Sequence, residues 1–298
     1  MVALILLALA GDAWCPCYVV GPPDIVLGSV GQQAVYVIRP GTAARYRVVL
    51  VPRVQVRGNP DDVGILVPTP SAPEFQTVGA SVFNEGARLT APLLRRRSTS
   101  SRGSGCGFSG SDDESFDADP TLLDDGTTVI SQQTVGGFDV TVLAAQNSSA
   151  LIEWLDENGY AHGVDDDSVL DEYVANGWVF TAMRRAVQEG DKRDRSFVWD
   201  TAPVAMSYDA DELHYPMALA ALSASTSDAT KVLVYTIADQ RMTFEGARTT
   251  YANRVSDFEL RTIRLLGTIR REHNYLPLVN MADATLDEDW PNEAIFVG

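Results

Sequence analysis

Between Val129 and Val187 the hydrophobic pattern changes period at each boundary, and each change carries its own chemical signal. Residues 129–146 alternate in strand fashion around Gly136-Gly137, a pair suited to a tight hairpin turn. Phe138, Val140 and Val142 then share one face of the second strand, with Asp139 and Thr141 on the other. Asn147, Ser148 and Ser149 offer side-chain oxygens to the free N–H groups of a helix in which Leu151, Trp154 and Leu155 recur at helical spacing. Asn158-Gly159 supplies its left-handed stop. The same grammar repeats once. Asp167 or Ser168 caps a second helix, Val169, Leu170, Tyr173 and Val174 form its buried stripe, and Asn176-Gly177 ends it before a strand from Trp178 to Val187.

Upstream, the pattern reads as β structure from Val19 to Val67, with strands at Ala34–Arg39, Tyr46–Val56 and Val63–Val67. Pro22-Pro23, Pro40-Gly41 and Asn59-Pro60-Asp61 mark the turns between them. Pro68–Pro73 is an extended, stiff link, and Phe75–Ala91 is predicted as a helix burying Val78, Val82 and Leu89. Downstream, strands are predicted at Ser196–Tyr208, Leu213–Ala224, Lys231–Ala238 and Ala294–Val297. An amphipathic helix is predicted over Val255–Arg271 and a short one over Asn280–Glu288. Strands and helices come in groups and do not alternate strictly. The expected class is therefore α+β, a β-rich single domain with antiparallel or mixed sheets and a few short helices.

The run GFDVTVLAAQNSSALIEWLDENGY, followed by LDEYVANGWVFTAMRR, resembles the signature region of a bacterial family, domain of unknown function family 2330. The proline-punctuated ILVPTPSAPEF at Ile65–Phe75 is a second point of likeness. The resemblance implies an exported protein and carries no catalytic residues with it.

Composition narrows the function classes. Of 298 residues 45% are hydrophobic, which suits a globular chain with a sizeable core. The formal charge of −17 speaks against nucleic acid as a partner, because phosphate binding needs a positive footprint. It speaks equally against electrostatic docking on an anionic membrane. Lys192 and Lys231 are the only lysines, a surface chemistry that fits either a salty habitat or a GC-rich genome.

The apolar run Val2–Ala10 has signal-peptide length and is too short to span a bilayer. Residues 1–13 are therefore read as a signal peptide, cut after Ala10 or near Ala13, and 14–298 as the mature domain. No Lys or Arg precedes the run, so a buried strand is the competing reading. No other segment reads as a transmembrane helix. The expected location is the periplasm, the cell surface or the extracellular space. Cys15, Cys17 and Cys106 suit an oxidising compartment. Either Cys15 or Cys17 is expected to bridge to Cys106, the alternative being three free thiols. Residues 95–127 form an irregular insertion, arginine-rich, then Ser/Gly-rich, then acidic, expected to be a mobile surface loop.

Most candidate chemistry fails its own requirements. Gly105–Gly110 matches a dinucleotide-binding string but lacks the strand before it and the helix after it. His162, His214 and His273 lie in unrelated contexts without metal-ligand spacing, and no nucleophile elbow is present. The one metal expectation is calcium, at Asp112, Asp113, Asp117 and Asp119 or at Asp165, Asp166 and Asp167, where hard oxygen ligands sit in loops. No other cofactor is expected. The sequence thus points to an exported envelope protein that binds or assembles with a protein partner without catalysis. The alternative is an extracytoplasmic hydrolase using cleft carboxylates.

Overall fold

A computed structural model of the chain describes residues 18–20, 28–58, 64–90, 121–122, 126–160, 167–185, 197–200, 202–216, 219, 231–238, 242–244, 248–254, 278–285 and 294–297. The elements run β1 (Tyr18–Val20), β2 (Gly28–Pro40), β3 (Tyr46–Gly58), β4 (Gly64–Thr69), β5 (Glu74–Thr77) and α1 (Ser81–Thr90). Then come β6 (Thr121–Leu122), β7 (Thr127–Val135), β8 (Phe138–Ala145), α2 (Ser148–Glu157), α3 (Asp167–Ala175) and β9 (Val179–Arg185). The chain continues through β10 (Phe197–Asp200), β11 (Val204–Ala210), β12 (His214–Tyr215), β13 (Lys231–Ala238) and β14 (Thr243–Phe244). It ends with β15 (Arg248–Arg254), β16 (Leu278–Thr285) and β17 (Ala294–Val297).

These strands make two large sheets and a small one. Sheet one runs β1-β4-β9-β8-β7-β6, antiparallel throughout. Sheet two runs β15-β16-β13-β2-β3-β11-β5, with β10 also on β3. It is mixed, because β13 lies parallel to β2 in the register Val234↔Ala34 to Ile237↔Val37. The small sheet is β12-β17-β14. The fold is a β-rich single α+β domain, as the grouping of elements along the sequence implies.

Burial shows how the layers stack. Successive strand residues point to opposite faces, and the central strands of both sheets are apolar on both faces. From sheet two, Ala34, Tyr36, Ile38, Val48, Leu50, Met206 and Val234 meet Ile65, Val67, Phe138, Val140 and Met183 of sheet one. The opposite face of sheet two, with Val35, Val37, Val49, Val51, Tyr235 and Ile237, packs under Val82 and Phe83 of α1. On the far face of sheet one, Leu66, Leu143, Phe180 and Ala182 pack under α2 and α3 through Leu151, Trp154, Leu155, Leu170 and Tyr173. The order is therefore helix, sheet, sheet, helix pair. Apolar strands buried on both sides lose the clean alternation of a half-exposed sheet, and β4 and most of β9 are indeed buried at successive positions.

The hairpin and the two helices form as their local code requires. Gly136 and Gly137 carry φ of 59° and 79°, the pair of positive values that a tight β7–β8 turn needs. Asn147 caps α2, its side-chain oxygen accepting from the Ala150 N–H at 2.8 Å. Both helices end in the same motif. The Tyr160 N–H donates to the Leu155 carbonyl at 2.7 Å and the Gly159 N–H to that of Asp156 at 3.0 Å. Trp178 and Gly177 repeat the arrangement on Tyr173 and Val174, at 3.1 and 2.9 Å. In each case the aromatic after the glycine folds back on the helix: Tyr160 stacks on Trp154 at 5.8 Å, and Trp178 meets Tyr173 at 5.1 Å.

Four sequence expectations are corrected. Phe75–Ala91 is not one helix, because Glu74–Thr77 pairs with β11 as a strand and the helix starts at Ser81. Asn280–Thr285 is strand, not helix: β16 pairs with β13 over eight positions and with β15 on its other side, and that pairing overrides local helical preference. The strand expected over Ser196–Tyr208 is two, β10 and β11. The one expected over Leu213–Ala224 reduces to His214–Tyr215 among the described residues. Within the span read as an irregular insertion, Thr121–Leu122 pairs with β7. The predicted helix at Val255–Arg271 lies outside the described residues, as do residues 1–13.

Candidate functional site

The two sheets meet in a core that is apolar except where tyrosines enter it. Tyr36 comes from β2, Tyr208 from β11 and Tyr215 from β12, and all three are buried in the inter-sheet cluster. The rings of Tyr36 and Tyr215 lie 6.1 Å apart at 48°. Tyr36 Oη donates to the His214 carbonyl over a long 3.5 Å. Burial pushes all three phenols up, and for Tyr36 the neighbouring Tyr208 and Tyr215 add to the effect. They are neutral hydroxyls at any physiological pH, suited to hydrogen bonding and not to proton abstraction. Among the described residues Tyr215 Oη meets no hydrogen-bond partner.

At the rim of this core stands His214, its side chain 16% exposed, with Nε2 3.6 Å from the Glu212 carboxylate. Its ring meets Trp178 edge to face at 5.2 Å. Because Trp178, three residues past the end of α3, packs back on Tyr173, the contact joins the outer helix layer to the β12 segment. His214 is thus a half-buried histidine in the short strand β12.

The second notable feature is the crossing from sheet one to sheet two. β4 pairs with β9 as far as Thr69, and five residues later, from Glu74, β5 pairs with β11. The proline-punctuated segment is this crossing. Two prolines restrict its backbone, and Ser71 fixes where it lands. Ser71 Oγ donates to the Asp209 carbonyl at 2.8 Å and accepts from the Asp209 N–H at 3.1 Å. Thr69 Oγ1 donates to the Ser71 carbonyl at 2.9 Å. Arg47 reaches Glu74 at 2.7 Å and Asp209 at 3.6 Å. At its other end β5 touches the hairpin turn, where a side chain on Gly136 would meet Val204 Cγ2 at 2.9 Å and Thr77 Cγ2 at 3.4 Å.

The result is a short strand anchored through Ser71 at one end and lying close to the hairpin turn at the other. Glu74, Gln76 and Thr77 are exposed, Phe75 is half-buried against the inter-sheet core, and β11 is the only strand that pairs with β5 among those described. A strand paired on one side presents backbone N–H and C=O groups on the other, and proteins commonly cover or disrupt such an edge.

A third seam is structural. Arg184 of β9 donates to the Asn158 and Gly159 carbonyls at 3.0 and 3.3 Å and lies over the Tyr160 ring at 5.7 Å. A cation at the carbonyl end of α2 complements the helix dipole. Burial raises the Tyr160 phenol to about 12; Arg184 opposes that rise and Asp139 adds to it.

Of the residues singled out in the sequence, Cys15, Cys17 and Cys106 lie outside the described residues. So do Asp112, Asp113, Asp117, Asp119, Asp165, Asp166, His162 and His273. Asp167 opens α3, where an acidic side chain in the first turn favours the helix without a metal. Among the described residues no group of three or more His, Cys, Asp or Glu side chains is placed to hold a metal ion. No described helix is long and apolar enough to cross a membrane. Sequence reasoning did not find the β5 edge or the Ser71 anchor; the density of prolines in ILVPTPSAPEF was the available signal.

No curated protein matches the chain. Among solved structures it is similar to the crystal structure of baculovirus P35, with 8% identity over 92% of this chain and 97% of that one. The TM-score is 0.37, and that likeness carries no argument. A family model described as "Uncharacterized protein conserved in bacteria (DUF2330)" matches residues 9–284, which include both signature segments, and the chain belongs to that family.

Proposed function

We propose that this is an exported component of the bacterial cell envelope that binds a protein partner, receiving an extended segment of that partner along the side of β5 that no described strand pairs. Export is supported by the apolar run Val2–Ala10 and its small-residue cleavage pattern. The binding reading is supported above all by how β5 is held. An edge strand with three of its four residues exposed follows directly on the Ser71–Asp209 hydrogen bonds and lies close to the Gly136 turn at Thr77, both partners far away in sequence. Such an edge loses little conformational freedom when another strand pairs with it, and strand addition draws its affinity from main-chain hydrogen bonds. The charge of −17 favours a protein partner over nucleic acid.

The test is chemical crosslinking in the native envelope fraction, followed by affinity isolation and mass spectrometry. The expected result is one partner recovered in near-equal amount. Recovery of the chain alone would contradict the proposal.

A further inference from the structure

Resting on the strand-edge reading just given, we infer that the N–H and C=O of Phe75 are the main-chain groups on which the partner's segment docks, and that this segment sets an apolar residue beside Phe75 and a basic one beside Glu74. In an antiparallel pair, directly opposite residues alternate between those that exchange both main-chain hydrogen bonds and those that exchange none. The register of β5 on β11 sets Thr77 against Val204, Gln76 against Ala205, Phe75 against Met206 and Glu74 against Ser207. One step further along, the Val78 N–H donates to the Pro203 carbonyl at 3.5 Å, which puts Val78 in the bonded set. Gln76 and Glu74 follow at alternate positions. A second contact fixes the same parity from the side of β11. Ser71 Oγ takes up both the N–H and the C=O of Asp209, two residues beyond Ser207. The main-chain groups of Ala205, Ser207 and Asp209 therefore face the β5 side. Those of Phe75 turn away from β11, toward the side that no described strand pairs.

The chemistry of the segment follows from the two faces of β5, which the side chains of an added strand continue. Phe75 is half-buried against the inter-sheet core, so an apolar residue beside it gains by covering the rest of the ring. Glu74, on the opposite face, keeps a side chain 81% exposed while pairing with Arg47 at 2.7 Å. Like charges side by side in a sheet are destabilising, and on a chain of charge −17 a basic neighbour is the complementary one. The partner's segment is thus extended, apolar at one position and basic at the next.

The experiment begins with amide hydrogen exchange on the full chain. Phe75 is expected to exchange about tenfold faster than Gln76, and equal protection of the two amides overturns the inference. Crosslinking from a photo-reactive side chain at Gln76 in the native bacterial host then compares wild type with Phe75→Ala and Phe75→Pro. Both variants lose the ring, but only proline loses the N–H, on the side where an edge strand tolerates that loss. Capture by Phe75→Pro should fall about tenfold below capture by Phe75→Ala. Equal capture overturns the inference and leaves the strand-edge reading standing. Near-UV circular dichroism checks that both variants keep their packing; if proline does not, the exchange result on the unsubstituted chain decides. Glu74→Gln should lower capture about two- to fivefold, and unchanged capture overturns the basic residue. No capture by the wild-type chain contradicts the strand-edge reading, and the inference with it.

Discussion

Residues 127–185 and residues 64–78 both tie the layers of this protein together, by opposite means. In the first stretch the fixing contacts are short in sequence: Asn147 to Ala150, Gly159 to Asp156, Trp178 to Tyr173, and the Gly136-Gly137 turn between paired strands. In the second they are long. Ser71 holds Asp209, 138 positions away, and the strands on either side of it belong to different sheets. The first stretch builds a closed hairpin and helix layer whose apolar side is spent on packing. The second delivers a strand to a sheet edge and holds it there. Local code suffices to make a packed layer, whereas placing an exposed edge takes contacts from the rest of the fold.

Substitutions sharpen that contrast, and the largest effect belongs to the closed layer. Leu155 is fully buried between α2 and sheet one. Leu155→Ala is expected to cost about 2–5 kcal/mol, read as a fall in Tm and denaturant midpoint. Next come the two turn glycines. Gly136→Ala meets both a positive φ and the Val204 methyl at 2.9 Å, and should cost more than the roughly 1–2 kcal/mol of left-handed strain alone. Gly137→Ala, with open space around it, should show the strain without the clash. Equal losses at the two positions would mean that the turn does not press on Val204 of β11 and Thr77 of β5.

Ser71→Ala removes one donor to Asp209 and one acceptor from it, for an expected loss of about 1–2 kcal/mol by chemical denaturation. The local counterpart, Asn147→Ala, should cost about 1 kcal/mol. The two losses are similar in size but should differ in consequence: Ser71→Ala should also weaken partner capture, and Asn147→Ala should not.

The smallest effect is electrostatic. Tyr160 titrates near 12 in the folded chain, against about 10 for an unhindered phenol. A phenol whose folded value is raised contributes stability that is fully present below pH 10 and is lost as pH climbs towards 12. Tyr160→Phe should flatten part of that alkaline decline without altering stability at neutral pH through titration.

The same contrast explains how much of the molecule the sequence discloses. Hairpin, caps and stops in 129–187 are legible because each depends on residues within a few positions, as with Asn147, Gly159 and Gly177. The strands β2, β3, β4 and β13 are legible from their β-branched runs. Helix was expected at Phe75 and at Asn280–Thr285, and both are strand, because their state is set by partners far along the chain: β11 for one, β13 and β15 for the other. The candidate site was less legible still. Pro70, Ser71 and Pro73 mark a stiff link, but nothing local names Asp209 as the residue that receives it. Tyr36, Tyr208 and Tyr215 belong to three separate strands, and only the folded topology brings them into one core.

The most direct test of the binding account places a photo-crosslinking side chain at Gln76 on β5, and in a control chain at Glu157, exposed on α2. Each chain is expressed in its native bacterial host and irradiated. The account predicts one prominent crosslinked protein from Gln76 and none from Glu157. No adduct at Gln76, or the same adduct from both positions, would contradict it.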